Sequence, residues 1–282
     1  MKVVAPGKLV LTGAYAVLEG APAIVAAVDR YAVTDGSEPD NVDVHALQDG
    51  EGRKLGLGSS AASMVVSRAA RAAARGEDLR QADVRARIFE DVRAEHARSQ
   101  GGGSGVDVAA SVHGGVLHYR LDGGAVRVRS VELPASVTLL AFWSGTSART
   151  SDLRARVDAH GARHPRALAA LRRLADRAAG AVDAADAVSF VRTAAAYGLA
   201  LEALGRAADA PIVPPSFAEL GAIASRDGAA FLPSGAGGGD VAVWLGDGPV
   251  SPELIARAEA LAIRLLPLGI DRGGVRVELP SP

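Results

Sequence analysis

Three glycine-rich segments divide the sequence, at residues 6–8, 56–62 and 233–240. Glycine lets the backbone approach a ligand closely and turn its N–H groups inward, because it has no side chain and accepts positive φ. Glycine loops that recur at the boundaries between strands and helices therefore indicate that main-chain N–H groups hold an anion. We expect that anion to be a nucleotide phosphate.

The composition narrows the classes of partner. The formal net charge is −1 over 282 residues, which argues against a nucleic-acid surface because such surfaces carry a basic excess. The absence of cysteine excludes disulfides and thiolate metal sites and fits a cytoplasmic protein. Apolar stretches are short and contain charges such as Glu19 and Arg264, so we expect no membrane partner. The sequence leaves open whether the chain forms a homodimer.

The hydrophobic pattern predicts a mixed α+β protein. The predicted strands are residues 3–4, 9–12, 23–28, 42–46, 115–119, 126–131, 138–143 and 275–279, with a strand, loop and strand over 229–245. The predicted helices are residues 59–74, 81–98, 106–112, 151–179, 184–206, 216–226 and 252–266.

Pro134 marks the predicted domain boundary, since the strand that follows it begins a different pattern. The length is sufficient for two ordinary domains. We therefore expect an N-terminal domain of residues 1–134 and a C-terminal domain of residues 135–282.

The second glycine segment, with the two residues before it, carries the strongest signal, and residues 54–62 read Lys-Leu-Gly-Leu-Gly-Ser-Ser-Ala-Ala. A helix that starts behind a glycine loop presents about half a positive charge to a bound anion. We expect Ser59 or Ser60 to be its N-cap, and Ser60 could add a hydroxyl ligand to a magnesium ion. A lone Gly-x-Gly before a helix favours an ordinary capped helix, but the paired serines and alanines favour phosphate binding.

Two other phosphate-binding motifs are disfavoured. A P-loop needs a lysine after its last glycine and then a hydroxyl residue, whereas Gly7-Lys8 is followed by Leu9. The dinucleotide-binding pattern Gly-x-Gly-x-x-Gly would need glycine where Asp240 stands. A hydride-transfer enzyme is therefore disfavoured.

Together the three segments resemble the GHMP kinase superfamily, which includes galactokinase, homoserine kinase and mevalonate kinase. Residues 96–107 read His-Ala-Arg-Ser-Gln-Gly-Gly-Gly-Ser-Gly-Val-Asp and are similar to the phosphomevalonate kinase subfamily. Residues 143–150 and 233–240 are similar to the same subfamily. The resemblance spans nearly the whole chain.

The resemblance implies the two-domain α+β fold of GHMP kinases, with an S5-like N-terminal domain and a ferredoxin-like C-terminal domain. It implies an ATP-dependent small-molecule kinase that phosphorylates the phosphate of 5-phosphomevalonate to give 5-diphosphomevalonate, in the mevalonate pathway of isoprenoid synthesis. Its partners would be small molecules, namely ATP with Mg²⁺ and a phosphorylated hydroxy acid.

The same resemblance implies roles for individual residues. Lys8 and Asp107 would be catalytic, and Ser60 would coordinate Mg²⁺. Because a phosphate monoester has a second pKa of about 6, the acceptor is already ionised and Asp107 would orient it more than deprotonate it. The residues expected at the ATP phosphates are Gly56, Leu57, Gly58, Ser59, Ser60 and Ala61. The residues expected at the substrate are His96, Arg98, Ser104, Ser147, Arg149, Thr150, Ser234, Gly235, Ala236, Gly237 and Gly238.

Alternative interpretations remain open at this point. Asp107 could be a helix N-cap, Lys8 a solvated strand lysine, and His96 a partner of a helix C-terminus. An alcohol such as mevalonate or a sugar could be the acceptor. A catalytically silent paralogue is a further alternative, motivated by Ala14 and Leu232, which stand where the family often has glutamate and lysine.

Overall fold

The computed structural model describes residues 1–99, 102–146, 150–161 and 165–278. Within these ranges the strands are β1 (Lys2–Thr12), β2 (Pro22–Asp35), β3 (Val42–Asp43), β4 (Val116–Asp122), β5 (Ala125–Val131), β6 (Val137–Trp143), β7 (Ala230–Pro233), β8 (Val241–Asp247), β9 (Arg264–Leu266) and β10 (Arg276–Glu278). The α-helices are α1 (Ser59–Ala74), α2 (Ala82–Ser99), α3 (Val106–His113), α4 (Thr150–Gly161), α5 (Pro165–Asp183), α6 (Ala187–Ala207), α7 (Pro215–Arg226) and α8 (Pro252–Ala260).

The strands form two sheets. The first has the order β10-β1-β2-β4-β5, and β3 pairs with β2 outside this path. The second has the order β7-β8-β6-β9, and each of its neighbouring pairs is antiparallel. Mixed helices and antiparallel strand pairs are what an α+β fold requires, so the predicted fold class is confirmed at this level.

The chain separates into two compact units. The first unit comprises Met1–Leu9, Val25–Leu117 and Gly269–Pro282, and the second comprises Val10–Ile24 and His118–Leu268. The chain passes from one unit to the other within β1, β2 and β4. The predicted domain boundary at Pro134 stays a prediction.

In the first unit, α1 is a helix of small residues that packs against α2 and α3. Its buried positions include Ala61, Ala62, Val65, Val66, Ala69 and Ala70. They recur at the three-to-four-residue spacing of one helix face. Small side chains let this helix lie close to its neighbours, which fixes the position of its N-terminus.

In the second unit, the β7-β8-β6-β9 sheet carries an aromatic core. Phe231 of β7 lies 5.4 Å from Phe142 of β6 and 5.6 Å from Phe217 of α7, measured between ring centroids. The next residue, Leu232, points to the opposite face of the sheet because side chains alternate along a strand. There it packs against Gly198 of α6, where an added Cβ would lie 3.1 Å from the Leu232 Cβ.

Several predicted elements are confirmed, and others have different limits. Helix α1 has the predicted ends, whereas β1 is one continuous strand instead of two short ones. The predicted helix at residues 252–266 is too long, because α8 ends at Ala260, Ala262 has a φ of 55°, and Arg264–Leu266 pair with β6. The predicted helix at residues 151–179 is wrong as a single helix, because residues 151–161 belong to α4 and Pro165 begins α5.

Among the described residues, one helix is long and apolar enough to cross a membrane by length and composition, namely α6. Buried core helices meet the same criterion, and α6 buries residues such as Phe190, Tyr197 and Leu201. The expectation that no apolar stretch is long enough was therefore wrong for α6. The absence of a membrane partner stays a prediction.

Candidate active site

The predicted phosphate loop is held by alternating leucines and glycines. Leu55 and Leu57 are 2% and 1% exposed, while Gly56 and Gly58 have φ values of 76° and 80°. The backbone N–H of Lys8 donates to the Leu57 carbonyl at 2.8 Å. The leucines thus anchor the loop in the first unit, and the glycines supply the left-handed turns that direct its backbone.

Helix α1 begins with its N–H groups uncapped by a side chain. Its N-cap residue is Gly58, which makes no side-chain hydrogen bond, and its first turn contains no acidic residue. The prediction that Ser59 or Ser60 is the N-cap was wrong, because the N-cap conformation here has a φ of 80° that suits glycine. The first N–H groups of a helix have no partner within it, so no charged side chain of this turn neutralises the positive end of α1.

Lys8 and Asp107 both lie beside Gly58. A Cβ added to Gly58 would be 3.1 Å from Lys8 Cγ and 3.8 Å from Asp107 Cβ. The Lys8 Nζ donates to the Gly56 carbonyl at 2.9 Å, so its ammonium group lies at the loop. The first unit therefore brings together a cation, a carboxylate and an uncapped helix N-terminus.

Asp107 lies in the first turn of α3. The N-cap of α3 is Gly105, with a φ of 80°, so the interpretation of Asp107 as the N-cap residue is wrong. Its Oδ1 accepts from the Val108 N–H at 3.0 Å, and its Oδ2 is 3.8 Å from His96 Nε2. One carboxylate oxygen is thus fixed by the helix, and the other lies beside the imidazole.

Among the other predicted substrate residues of the first unit, His96 is buried in the last turn of α2 and contacts Asp107. Ser104 Oγ accepts from the Val106 N–H at 3.4 Å, at the start of α3. The neighbouring Arg98 is exposed. Gln100 and Gly101 lie outside the described residues.

His113, the last residue of α3, is expected to make the stability of the first unit depend on pH. Burial, and secondly the charge of Arg85, lower the pKa of His113 below its ordinary value, which is about 6.5. The unfolded chain therefore binds more protons than the folded chain as the pH falls below that value. We expect the free energy of unfolding to decrease from pH 7 to pH 5.

Urea unfolding at pH 5, 6, 7 and 8 measures this dependence. His113→Gln should flatten it, whereas His45→Gln, at an exposed position of the same unit, should leave it unchanged. An unaltered pH dependence in His113→Gln would contradict the assignment.

The third glycine segment lies in the second unit and is fixed at several points. Ser234 Oγ accepts from the Val10 N–H at 2.8 Å, and the Tyr15 hydroxyl donates to the Ala236 carbonyl at 2.6 Å. Gly238 N–H donates to the Ile212 carbonyl at 2.9 Å. Within the part of the chain that the structure describes, the N–H groups of residues 235–237 have no hydrogen-bond partner. A glycine turn whose backbone N–H groups lack a protein partner can receive an anion.

Tyr15 is the functional candidate that sequence reasoning missed. Its partner Ala236 lies 221 residues away, and no local pattern encodes that contact. Thr146 contacts the loop at Gly239, since a Cβ added to Gly239 would lie 2.4 Å from Thr146 Oγ1. The predicted residues Ser147 and Arg149 lie outside the described residues, as does the side chain of Thr150.

Ala14 and Leu232 are both packing residues of the second unit. Ala14 is 8% exposed, and its carbonyl accepts from the Tyr197 hydroxyl at 2.7 Å. Leu232 is 1% exposed and packs against Gly198, which follows Tyr197 in α6. Ala14 and Leu232 therefore contact the same turn of α6.

The described residues contain no group of three or more histidine, cysteine, aspartate or glutamate side chains that could hold a metal ion. Mg²⁺ usually keeps several waters and binds one or two protein oxygens together with substrate phosphates. The Ser60 hydroxyl is an oxygen donor of the kind that suits an ion arriving with a nucleotide.

Comparison with known proteins supports a kinase relationship. No protein-family model matches the sequence. The chain is 31% identical to phosphomevalonate kinase from Streptomyces sp. strain CL190, over 77% of this chain and 65% of that enzyme. The chain thus spans 65% of the length of this relative.

Solved structures cover the chain almost completely. A Listeria innocua protein named Lin0012 superposes with a TM-score of 0.84 at 22% identity, covering 98% of both chains. Streptococcus pneumoniae phosphomevalonate kinase in complex with phosphomevalonate and AMPPNP superposes with a TM-score of 0.80 at 19% identity, covering 96% of this chain and 99% of that one. The chain therefore has the two-domain α+β fold of these solved structures, and its sequence is similar to that of a phosphomevalonate kinase.

Proposed function

We propose that this protein transfers the γ-phosphoryl group of ATP to the phosphate of 5-phosphomevalonate, giving 5-diphosphomevalonate in the mevalonate pathway. The observation that carries the proposal is the convergence of Lys8, Asp107 and the uncapped α1 N-terminus on Gly58. The similarity to the Streptomyces enzyme supports phosphomevalonate as the acceptor.

Phosphoryl transfer depends mainly on positioning and on neutralising charge. The N–H groups of residues 56–61 would hold the ATP phosphates at the positive end of α1. Lys8 would neutralise charge on the transferred group, while Mg²⁺, held by the phosphates and Ser60, would supply electrostatic stabilisation. With no acidic residue in the first turn of α1, the bound phosphates would meet no repulsion from that turn.

The acceptor side would use the remaining candidates. The substrate carries a carboxylate and a phosphate, so it needs cationic, hydroxyl and N–H partners. We assign this role to His96, Arg98 and Ser104 in the first unit. The other assigned residues are Ser147, Arg149, Thr150, Ser234, Gly235, Ala236, Gly237 and Gly238.

Asp107→Asn should lower kcat with phosphomevalonate about 10²-fold, because the amide lacks the negative charge that would orient the acceptor. The matched control is Asp83→Asn, which also removes a carboxylate from the first turn of a helix, here α2. Steady-state kinetics should show near-normal turnover in the control. Equal kinetics in both variants would contradict a role for Asp107 in catalysis.

A coupled ADP-release assay with Mg·ATP tests the proposed function. Phosphomevalonate, mevalonate, homoserine and galactose are compared as acceptors. Turnover with phosphomevalonate alone is the expected result. Turnover with an alcohol acceptor would show that phosphomevalonate is not the substrate, and binding of ATP without turnover of any acceptor would favour a catalytically silent paralogue.

A cytoplasmic location stays a prediction.

A further inference from the structure

Tyr15 has a strained backbone. Its φ and ψ are 63° and −50°, and the Ala16 N–H donates to the Ala14 carbonyl at 2.8 Å. Together these describe a γ-turn with positive φ at its central residue, a rare and strained turn. Residues held in such regions persist only when their surroundings impose them, and they cluster at functional sites.

The surroundings of the turn hold it from both sides. Before it, Gly13 packs so closely on Ala23 that an added Cβ would lie 2.4 Å from the Ala23 Cα. The Ala14 carbonyl accepts a second hydrogen bond, from the Tyr197 hydroxyl of α6. The strain is therefore imposed by the packing of the second unit.

The turn directs the Tyr15 side chain to the third glycine segment. The side chain is buried, and its hydroxyl meets the Ala236 carbonyl at 2.6 Å. Burial, and secondly the charge of Asp158, raise the pKa of Tyr15. The hydroxyl thus keeps its proton near neutral pH and remains a donor.

We propose that Tyr15 is a positioning residue that sets the conformation of the 234–239 loop, through its hydrogen bond to the Ala236 carbonyl. The loop contains several glycines with positive φ, and glycine-rich backbone has many accessible conformations. By donating to the Ala236 carbonyl, the Tyr15 hydroxyl selects one of these conformations. In that conformation the N–H groups of residues 235–237 would face the anion that they bind.

Tyr15→Phe tests this role, because it removes the hydroxyl and keeps the ring. Tyr31→Phe is the matched control: it deletes a tyrosine hydroxyl that donates to Asp271 in the first unit and has no contact with the loop or with the Tyr15 turn. The first readout is amide hydrogen exchange by mass spectrometry. Tyr15→Phe should speed exchange at residues 234–239 up to about tenfold, while Tyr31→Phe should leave it unchanged.

The second readout is kinetic and rests on the proposed function. In Tyr15→Phe, kcat/KM for phosphomevalonate should fall about tenfold, and KM for Mg·ATP should not change. If the unsubstituted protein does not turn over phosphomevalonate, the proposed function is wrong. The exchange measurement then still tests whether Tyr15 positions the loop. Exchange equal to the unsubstituted protein, equal acceleration in both variants, or faster exchange with unchanged kinetics would each overturn the positioning role.

Discussion

Replacing Lys8 by methionine is expected to lower kcat about 10³-fold, at the upper end of what removal of one electrostatic contact in an active site produces. Lys8 Nζ lies at the phosphate loop, where it donates to the Gly56 carbonyl. Methionine keeps most of the side-chain length and its packing beside Gly58 but removes the charge. The loss should therefore fall mainly on kcat, because Lys8 would neutralise charge that develops on the phosphate oxygens during transfer, and such a contact is strongest in the transition state.

Lys54→Met is the control for Lys8→Met. Lys54 is an exposed lysine that precedes the same loop, so its loss changes the net charge equally. Steady-state kinetics should give a kcat close to that of the unsubstituted protein. If Lys8→Met retained turnover within tenfold of the control, Lys8 would not act in phosphoryl transfer.

Replacing Gly237 by alanine is expected to lower the free energy of unfolding by about 3 kcal/mol or more. The added Cβ would lie 2.0 Å from the Ile212 carbonyl oxygen, and the φ of Gly237 is 79°. Backbone would have to move on one side or the other. The movement would also break the hydrogen bond from the Gly238 N–H to the Ile212 carbonyl.

Gly248→Ala separates the effect of the steric clash from the effect of the positive φ. Gly248 also has a positive φ, of 103°, but an added Cβ would meet no atom within 4 Å. Its substitution should cost about 1 kcal/mol, from backbone strain alone. Urea unfolding curves of the two variants measure the difference. A Gly237→Ala variant no less stable than Gly248→Ala would contradict the close packing of the third glycine segment.

Local pattern was sufficient for the elements that contain their own signals. Helix α1 was predicted with its observed ends, because its small residues repeat at helical spacing directly after Gly58. The strands predicted at residues 115–119 and 126–131 correspond to β4 and β5, which are neighbours in the first sheet. The chemistry assigned to Lys8 and Asp107 came from the family resemblance, and the structure adds that both lie beside Gly58.

Other features depend on contacts between distant residues, which local pattern does not encode. Strand β9 was predicted as the end of a helix, because its residues become a strand only by pairing with β6. The choice of Gly58 as N-cap follows from its left-handed conformation, which is fixed by the loop that packs beside Lys8. The contact of Tyr15 with Ala236 joins two segments far apart in sequence and has no local signature.

Phosphorus NMR of the reaction product tests the central claim most directly. The protein is mixed with Mg·ATP and phosphomevalonate, and the product is isolated from the nucleotides. The account predicts two phosphorus signals coupled to each other, as in a diphosphate, with one ADP formed for each product molecule. A product whose phosphorus signals are uncoupled monoesters would place the new phosphoryl group on an alcohol and would contradict the account.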